Sequence, residues 1–208
     1  MHPQMSLLRP PLSCGYVYPL ADLLATRDHF APKDGFPTSL YIQPVKYASD
    51  IRNRKVVSCY IAALLPEPSS PEPNPWILVL ETADGSALII ELRQANPQGR
   101  TFIMCREAPI AIKDCELGAC GRSWLLAVRE GSVTGNWLNM LKRSGLTKYR
   151  LNAGFGCRWW LDCVLTEFKG FFTTRYDDAR LWLRIAWSGT SEPVHPGEMQ
   201  RLRKGVWV

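Results

Sequence analysis

The clearest pattern of apolar and polar positions lies between Trp76 and Arg93. Two runs rich in aliphatic residues, 76–83 and 86–93, flank the dipeptide Asp84-Gly85. Asp-Gly between such runs predicts a two-residue type I′ hairpin, because both central residues take positive φ. That loop pairs Ala83 with Ser86, Leu80 with Ile89 and Leu78 with Glu91. One face then carries Trp76, Leu78, Leu80, Ile89 and Glu91, and the other Ile77, Val79, Leu88, Ile90 and Leu92. Apolar residues on both faces predict a central hairpin covered on both sides. Glu91 is the exception, a carboxylate opposite Leu78 and diagonal to Trp76.

Residues 56–65 (VVSCYIAALL) read as a further buried strand, and 101–106 and 124–129 as two more. The period then changes. Ser132 or Thr134 caps a helix through Trp137, Leu138 and Leu141 to Ser144, and Gly145 ends it. Residues 155–168 form a second helix and 177–187 a third, with Asp177 and Asp178 favouring its N-terminus through the helix dipole. Strands first and helices after predict an α+β fold: a mainly antiparallel sheet, the Asp-Gly hairpin at its centre, and two or three helices from the C-terminal half packed on it. Residues 1–50, with Pro at 3, 10, 11, 19, 32, 37 and 44, read as an irregular arm with a short helix near 20–29. Residues 51–208 read as a single domain, interrupted by a stiff loop at 66–75 that holds five Pro.

Composition narrows the class. Of 208 residues, 46% are hydrophobic and 21% charged, which excludes a disordered chain and permits a sizeable core. The seven Cys are odd in number and include no C-x-x-C pair, and the first eleven residues have no apolar leader. Reduced thiols in the cytoplasm are the expectation. No apolar run is long enough to span a bilayer, so no membrane segment is expected. The net charge is +6, and it is uneven: residues 131–161 contain no acid, yet hold Lys142, Arg143, Lys148, Arg150 and Arg158, interleaved with Trp137, Tyr149, Trp159 and Trp160. Two readings stand, a patch for phosphates and bases, or a solvated basic face beside core aromatics.

Many standard sites are absent. The chain has no Walker loop, no dinucleotide fingerprint, no H-E-x-x-H and no G-x-S-x-G. Its three His, at 2, 29 and 195, have no partner at metal-ligand spacing, so no metal is expected. The densest segment is 154–162. On a helical wheel Cys157, Leu161, Val164 and Phe168 share a core face, while Arg158, Asp162, Thr166 and Lys169 lie opposite. Arg158 and Asp162, four apart, are either a surface ion pair or, if another element covers that side, a pocket donor with Asp162 orienting it. Gly154 and Gly156 lead into a helix N-terminus that suits an anion or simply a tight turn. Glu91 among aliphatic side chains suits acid or base work, unless Arg93 or solvent takes it. Tyr60 is a phenolic donor or a satisfied core residue. Eight Trp indicate an aromatic core or a pocket for a bulky apolar ligand, lined by Trp76, Leu78, Cys157, Trp159 and Trp160.

Four stretches carry a resemblance: the hairpin from Pro75-Trp76 to Leu92, the helix at 132–142, Lys148-Tyr-Arg-Leu leading into Gly154-Phe-Gly-Cys-Arg-Trp-Trp, and Gly197-Glu-Met-Gln to Lys204-Gly-Val-Trp. Together they resemble an uncharacterised fungal family known as a domain of unknown function, over residues 56–207. Its most specific string is Gly-x-Gly-Cys-Arg-x-Trp, carried here by Gly154, Gly156, Cys157, Arg158 and Trp160. Pro75 stands where the family usually has His, and Glu91 where it usually has Asp. A function that rests on that His is one this chain lacks or performs otherwise. The resemblance implies an association with fungal specialised-metabolite pathways and hence a small hydrophobic ligand. The expected activity is a cofactor-independent cyclase or isomerase, such as a pericyclase of the intramolecular Diels–Alder type, acting on a polyketide or terpenoid. Arg158, Glu91, Tyr60 and Asp162 would supply its polar groups. The alternatives are a basic RNA- or tRNA-binding module using Lys142, Arg143, Lys148, Arg150, Arg201, Arg203 and Lys204, and a non-catalytic scaffold or homodimer.

Overall fold

Strand pairing follows the apolar runs. The computed structural model describes residues 40–43, 51–64, 74–94, 101–108, 120–152, 155–188 and 192–207. Within them Val56–Leu64 (β2), Trp76–Thr82 (β3), Ala87–Gln94 (β4), Thr101–Ala108 (β5) and Cys120–Ala127 (β6) pair antiparallel in the order β5-β4-β3-β2-β6. Leu40–Gln43 (β1) adds a parallel strand at the β5 edge. This strand falls inside the stretch expected to be irregular. The rest of the arm, the helix expected near 20–29 and most of the proline-rich loop lie outside the described residues.

The helices follow the strands. Thr134–Arg143 (α1) ends at Ser144 and Gly145, whose φ of 72° supplies the left-handed turn a helix end favours. Tyr149–Arg150 (β7) comes next, then Cys157–Glu167 (α2) and Tyr176–Trp182 (α3). Val206–Trp207 (β8) returns to pair antiparallel with β7. The chain is therefore α+β, a mainly antiparallel sheet with three helices from its C-terminal half.

The core lies between helices and sheet. Trp76, Leu78, Leu80, Leu88, Ile90 and Leu92 from the sheet meet Trp137, Leu138, Leu141, Cys157, Trp160, Leu161 and Val164 from the helices in one buried cluster. Trp137 organises α1 within it. Its ring stacks on Phe171 at 4.7 Å and meets Phe168 edge-on at 4.9 Å. Such pairs add about 0.5–1.5 kcal/mol each beyond the area they bury. Its Nε1 donates to Ser132 Oγ at 2.7 Å, while Thr134 Oγ1 donates to the carbonyl of Ile51. This corrects the expectation that Ser132 or Thr134 caps α1: neither hydroxyl does, and the N-cap is Val133, without a side-chain bond.

The hairpin corrects a second expectation. Leu78 pairs with Ile90, Leu80 with Leu88 and Glu81 with Ala87, one residue out of the predicted register. The turn is a three-residue loop, closed by Thr82 N–H to the Ser86 carbonyl at 2.9 Å and Gly85 N–H to the Thr82 carbonyl at 3.0 Å. Gly85 at φ 81° takes the left-handed position. Asp84 decides the turn: one carboxylate oxygen accepts from Thr82 Oγ1 (2.6 Å), Ser86 Oγ (2.8 Å) and Ser86 N (3.1 Å). Arg54 Nε holds the other oxygen at 3.3 Å.

Candidate functional site

A shift of one residue moves a side chain to the other face of a sheet. Trp76 and Leu78 accordingly face the helices, whereas Ile89, Val79 and Ile77 form a second cluster with Ala62, Leu64 and Ala87 on the opposite face. Glu91, between Ile90 and Leu92 on β4, belongs to that second face and is fully buried. The expected grouping of Glu91 with Trp76 and Leu78 is thus overturned by the register. In β5 the residue paired with Glu91 is Met104, also buried.

Tyr60 packs against the same second face. Its hydroxyl donates to Glu81 Oε2 at 3.1 Å, and Ser58 Oγ donates to the same oxygen at 2.5 Å. Alternation along β2 and β3 explains the set, since Ser58 and Tyr60 are two apart on one strand and Ser58 pairs with Glu81. Beside Tyr60, on β6, Leu125 is 54% exposed. The face therefore runs from a solvent-reached edge at Leu125 and Tyr60, across Val79 and Ile89, to the buried carboxyl of Glu91. Sequence reading missed Ser58 and Glu81. The available signal was Glu81 itself, a lone charge inside the apolar run of β3.

The groups around α2 do different work. Arg158 is buried, with Nη1 donating to the carbonyl of Leu183 at 3.2 Å and Nη2 to Gln200 Oε1 at 2.9 Å. The predicted partner of Arg158, Asp162, takes Arg180 instead, at 2.6 and 3.0 Å in a two-pronged pair. Arg180 is correspondingly harder to deprotonate, chiefly through that bond. The side of α2 that holds Arg158 and Asp162 is thus covered by α3 and the segment after it. Its cover supplies structural partners.

Gly156, at φ 123°, could not carry a side chain: a Cβ there would stand 2.6 Å from Tyr149 Oη and 2.9 Å from Gly205 N. Tyr149 Oη donates to the Gly156 carbonyl at 3.1 Å and accepts from Gly205 N at 2.5 Å. Trp160 Nε1 donates to the Leu146 carbonyl at 3.0 Å, Cys157 is buried in the core, and Trp159 lies under Lys204 Nζ at 4.3 Å. The string Gly156-Cys-Arg-Trp-Trp160 is a clasp that fastens the C-terminal segment to β7 and α3. Gly154 lies outside the described residues.

Of the residues expected at one site, Trp76, Leu78, Cys157 and Trp160 come together in the packed core, and Tyr60 and Glu91 share the opposite face. Burial pushes the Cys59 thiol far above the usual thiol range and the Cys163 thiol up to about 11, with Asp162 adding to the second shift. Beneath the hairpin turn, Ile51, Arg54, Thr82, Ser86, Ala87, Leu88 and Thr134 line a crease that has no room for a water molecule. Among the described residues no group of three or more His, Cys, Asp or Glu is gathered for a metal, and no helix is long and apolar enough to cross a membrane.

The model of a domain of unknown function, DUF7770, matches residues 59–206. The chain belongs to that family. The DUF7770 match begins at Cys59 in β2 and ends at Val206 in β8, so it takes in β3 to β7 and the clasp, and leaves Ser58 and Trp207 just outside. No curated protein and no solved structure matches the chain.

Proposed function

We propose that this DUF7770 protein is a cofactor-independent cyclase or isomerase that holds a hydrophobic polyketide or terpenoid against the second face of its sheet. The observation that carries the reading is one apolar face bearing both a buried carboxyl, Glu91, and a hydrogen-bonded set, Ser58–Glu81–Tyr60. Ala62, Leu64, Ile77, Val79 and Ile89 form a buried apolar cluster, and a substrate held there replaces what now covers it with its own apolar surface. Holding one reactive conformer is itself a large part of the catalysis of an intramolecular cyclisation. Tyr60, redirecting its hydroxyl from Glu81 to a substrate carbonyl, lowers the barrier by stabilising charge on that oxygen. Glu91 moves a proton where the reaction is an isomerisation and fixes orientation where it is pericyclic. Arg158 and Asp162 act at a distance in this scheme, Arg158 by fastening the end of α3 and the C-terminal segment and Asp162 by fastening α3 through Arg180. The resemblance to a fungal family associated with specialised metabolism supports the substrate class.

The test is native mass spectrometry of the full chain from its own host, followed by organic extraction. The expected result is an apolar small molecule bound one to one, with retention lowered at least about tenfold in Glu91→Gln and Tyr60→Phe, the loss expected when a bound polar group is left unpaired. Equal retention in wild type and both variants overturns the site. Absence of any bound molecule overturns the reading.

A further inference from the structure

The basic charge noted between residues 131 and 161 is completed by the end of the chain. Pairing of β7 with β8 brings Lys148 and Arg150 beside the segment that holds Arg201, Arg203 and Lys204, all of them exposed. Neither residues 131–161 nor residues 199–208 contain an acid. Trp207 is 48% exposed and pairs with Tyr149, so by strand alternation it stands on the Tyr149 side of the ribbon while Arg150 points to the other side. Trp76, Trp137, Trp160 and Trp187 are buried, and Trp124, Trp159 and Trp182 pack on the core. The Trp207 indole meets the Tyr149 ring edge-on, with ring centroids 4.8 Å apart and planes at 63°, which holds the ring in place. The face already stacks cations on rings: Arg203 lies 4.0 Å over Phe155, and Lys204 lies 4.3 Å over Trp159.

We infer that the β7–β8 ribbon is a docking surface for single-stranded nucleic acid. An anchored, half-exposed indole offers a face on which an unpaired base stacks, and stacking accepts any base. Exposed Arg201, Arg203 and Lys204 lead up to Trp207, and Lys148 and Arg150 stand on the other side of the ribbon, so cations able to neutralise phosphates lie on both sides of the ring. A duplex hides its base faces and fits poorly; a single strand matches charge and ring together. This surface lies apart from the second sheet face, and its test is independent of any small-molecule activity.

Fluorescence anisotropy of a labelled 20-nucleotide oligo(U), titrated with the full chain, reads the binding. With about four phosphates neutralised, affinity is expected to fall roughly 50-fold between 50 and 200 mM salt. Trp207→Ala is expected to weaken binding by about 5- to 100-fold, Trp207→Phe to restore most of it, and Lys148→Glu with Arg150→Glu to flatten the salt dependence. No binding at 50 mM salt overturns the inference. Unchanged affinity in Trp207→Ala also overturns it, as does sedimentation with phosphatidylserine vesicles under conditions where oligo(U) is not bound. The charge-reversal pair keeps the test decisive should Trp207→Ala fail to fold.

Discussion

The guanidinium of Arg158 donates to the carbonyl of Leu183, the residue that closes α3, at 3.2 Å. A helix-terminal carbonyl lacks an intrahelical donor, and here a buried cation supplies one. Arg158→Ala leaves that carbonyl and Gln200 Oε1 unpaired, and is expected to cost about 2–4 kcal/mol. Arg158→Lys recovers little of it, because a single ammonium cannot span two acceptors in the guanidinium's fork. Urea unfolding of the three proteins measures this. A loss of small-molecule binding at full stability would return Arg158 to the substrate.

Gly156 answers to the same clasp. Alanine there needs both a φ of 123° and space that Tyr149 Oη occupies at 2.6 Å. Backbone strain and overpacking together predict a loss of about 2–4 kcal/mol. Adding Tyr149→Phe removes the nearest clashing atom, so the double variant is expected to lose less than the sum of the single losses. A double-mutant cycle read by thermal unfolding decides; strict additivity would place the strain elsewhere.

Asp84 makes the hairpin sensitive to acid. Its carboxyl is held down to about 2 from 3.8, first by the Thr82 hydroxyl, with Ser86 and Arg54 adding to the effect. The folded state thus binds this proton less readily than the unfolded chain. The stability it lends is complete above about pH 4 and is lost as pH falls through about 2. The carboxylate is half exposed, so screening holds the contribution to roughly 1 kcal/mol or less. Wild type and Asp84→Asn, unfolded in urea at pH 7, 4 and 2, are expected to differ at the first two values and to converge at the third. A constant difference would mean that the charge is not what stabilises the turn.

The hairpin was legible because Asp-Gly between two aliphatic runs has few other uses. Its register was not, since the type I′ reading counts only the two turn residues, while Asp84 is also held by Arg54, thirty residues earlier. That single step carried Glu91 to the other face and separated it from Trp76 and Leu78. The Arg158 side of α2 was legible only as two alternatives, a surface ion pair or a side covered by another element, and it is covered. The cover itself comes from Leu183 and Gln200, which no local pattern links to Arg158. The aromatic richness was spent mainly on packing: Trp124, Trp182 and Trp187 follow one another at centroid distances of 4.8 and 4.9 Å, joining β6 to α3.

Asn74 offers the sharpest test of how the C-terminal half is held to the sheet. It is fully buried, and its amide uses three bonds. Nδ2 donates to the carbonyls of Leu64 and Trp187, both at 2.9 Å, and Oδ1 accepts from Trp187 N at 2.6 Å. Only an amide carries two donors and an acceptor in that arrangement. Asn74→Ala leaves three buried backbone groups unpaired and is expected to cost about 2–4 kcal/mol. Asn74→Asp is expected to be worse at neutral pH despite its matching shape, because it points a charged acceptor at two carbonyls. A protonated carboxyl regains one donor, so the aspartate penalty should grow as pH rises above about 4, the ordinary aspartate value, and shrink below it. Unfolding midpoints of the three proteins at pH 7 and pH 4 separate the cases. An aspartate variant as stable as wild type at pH 7 would mean that solvent reaches the amide and that the tie between β2 and Trp187 is not buried.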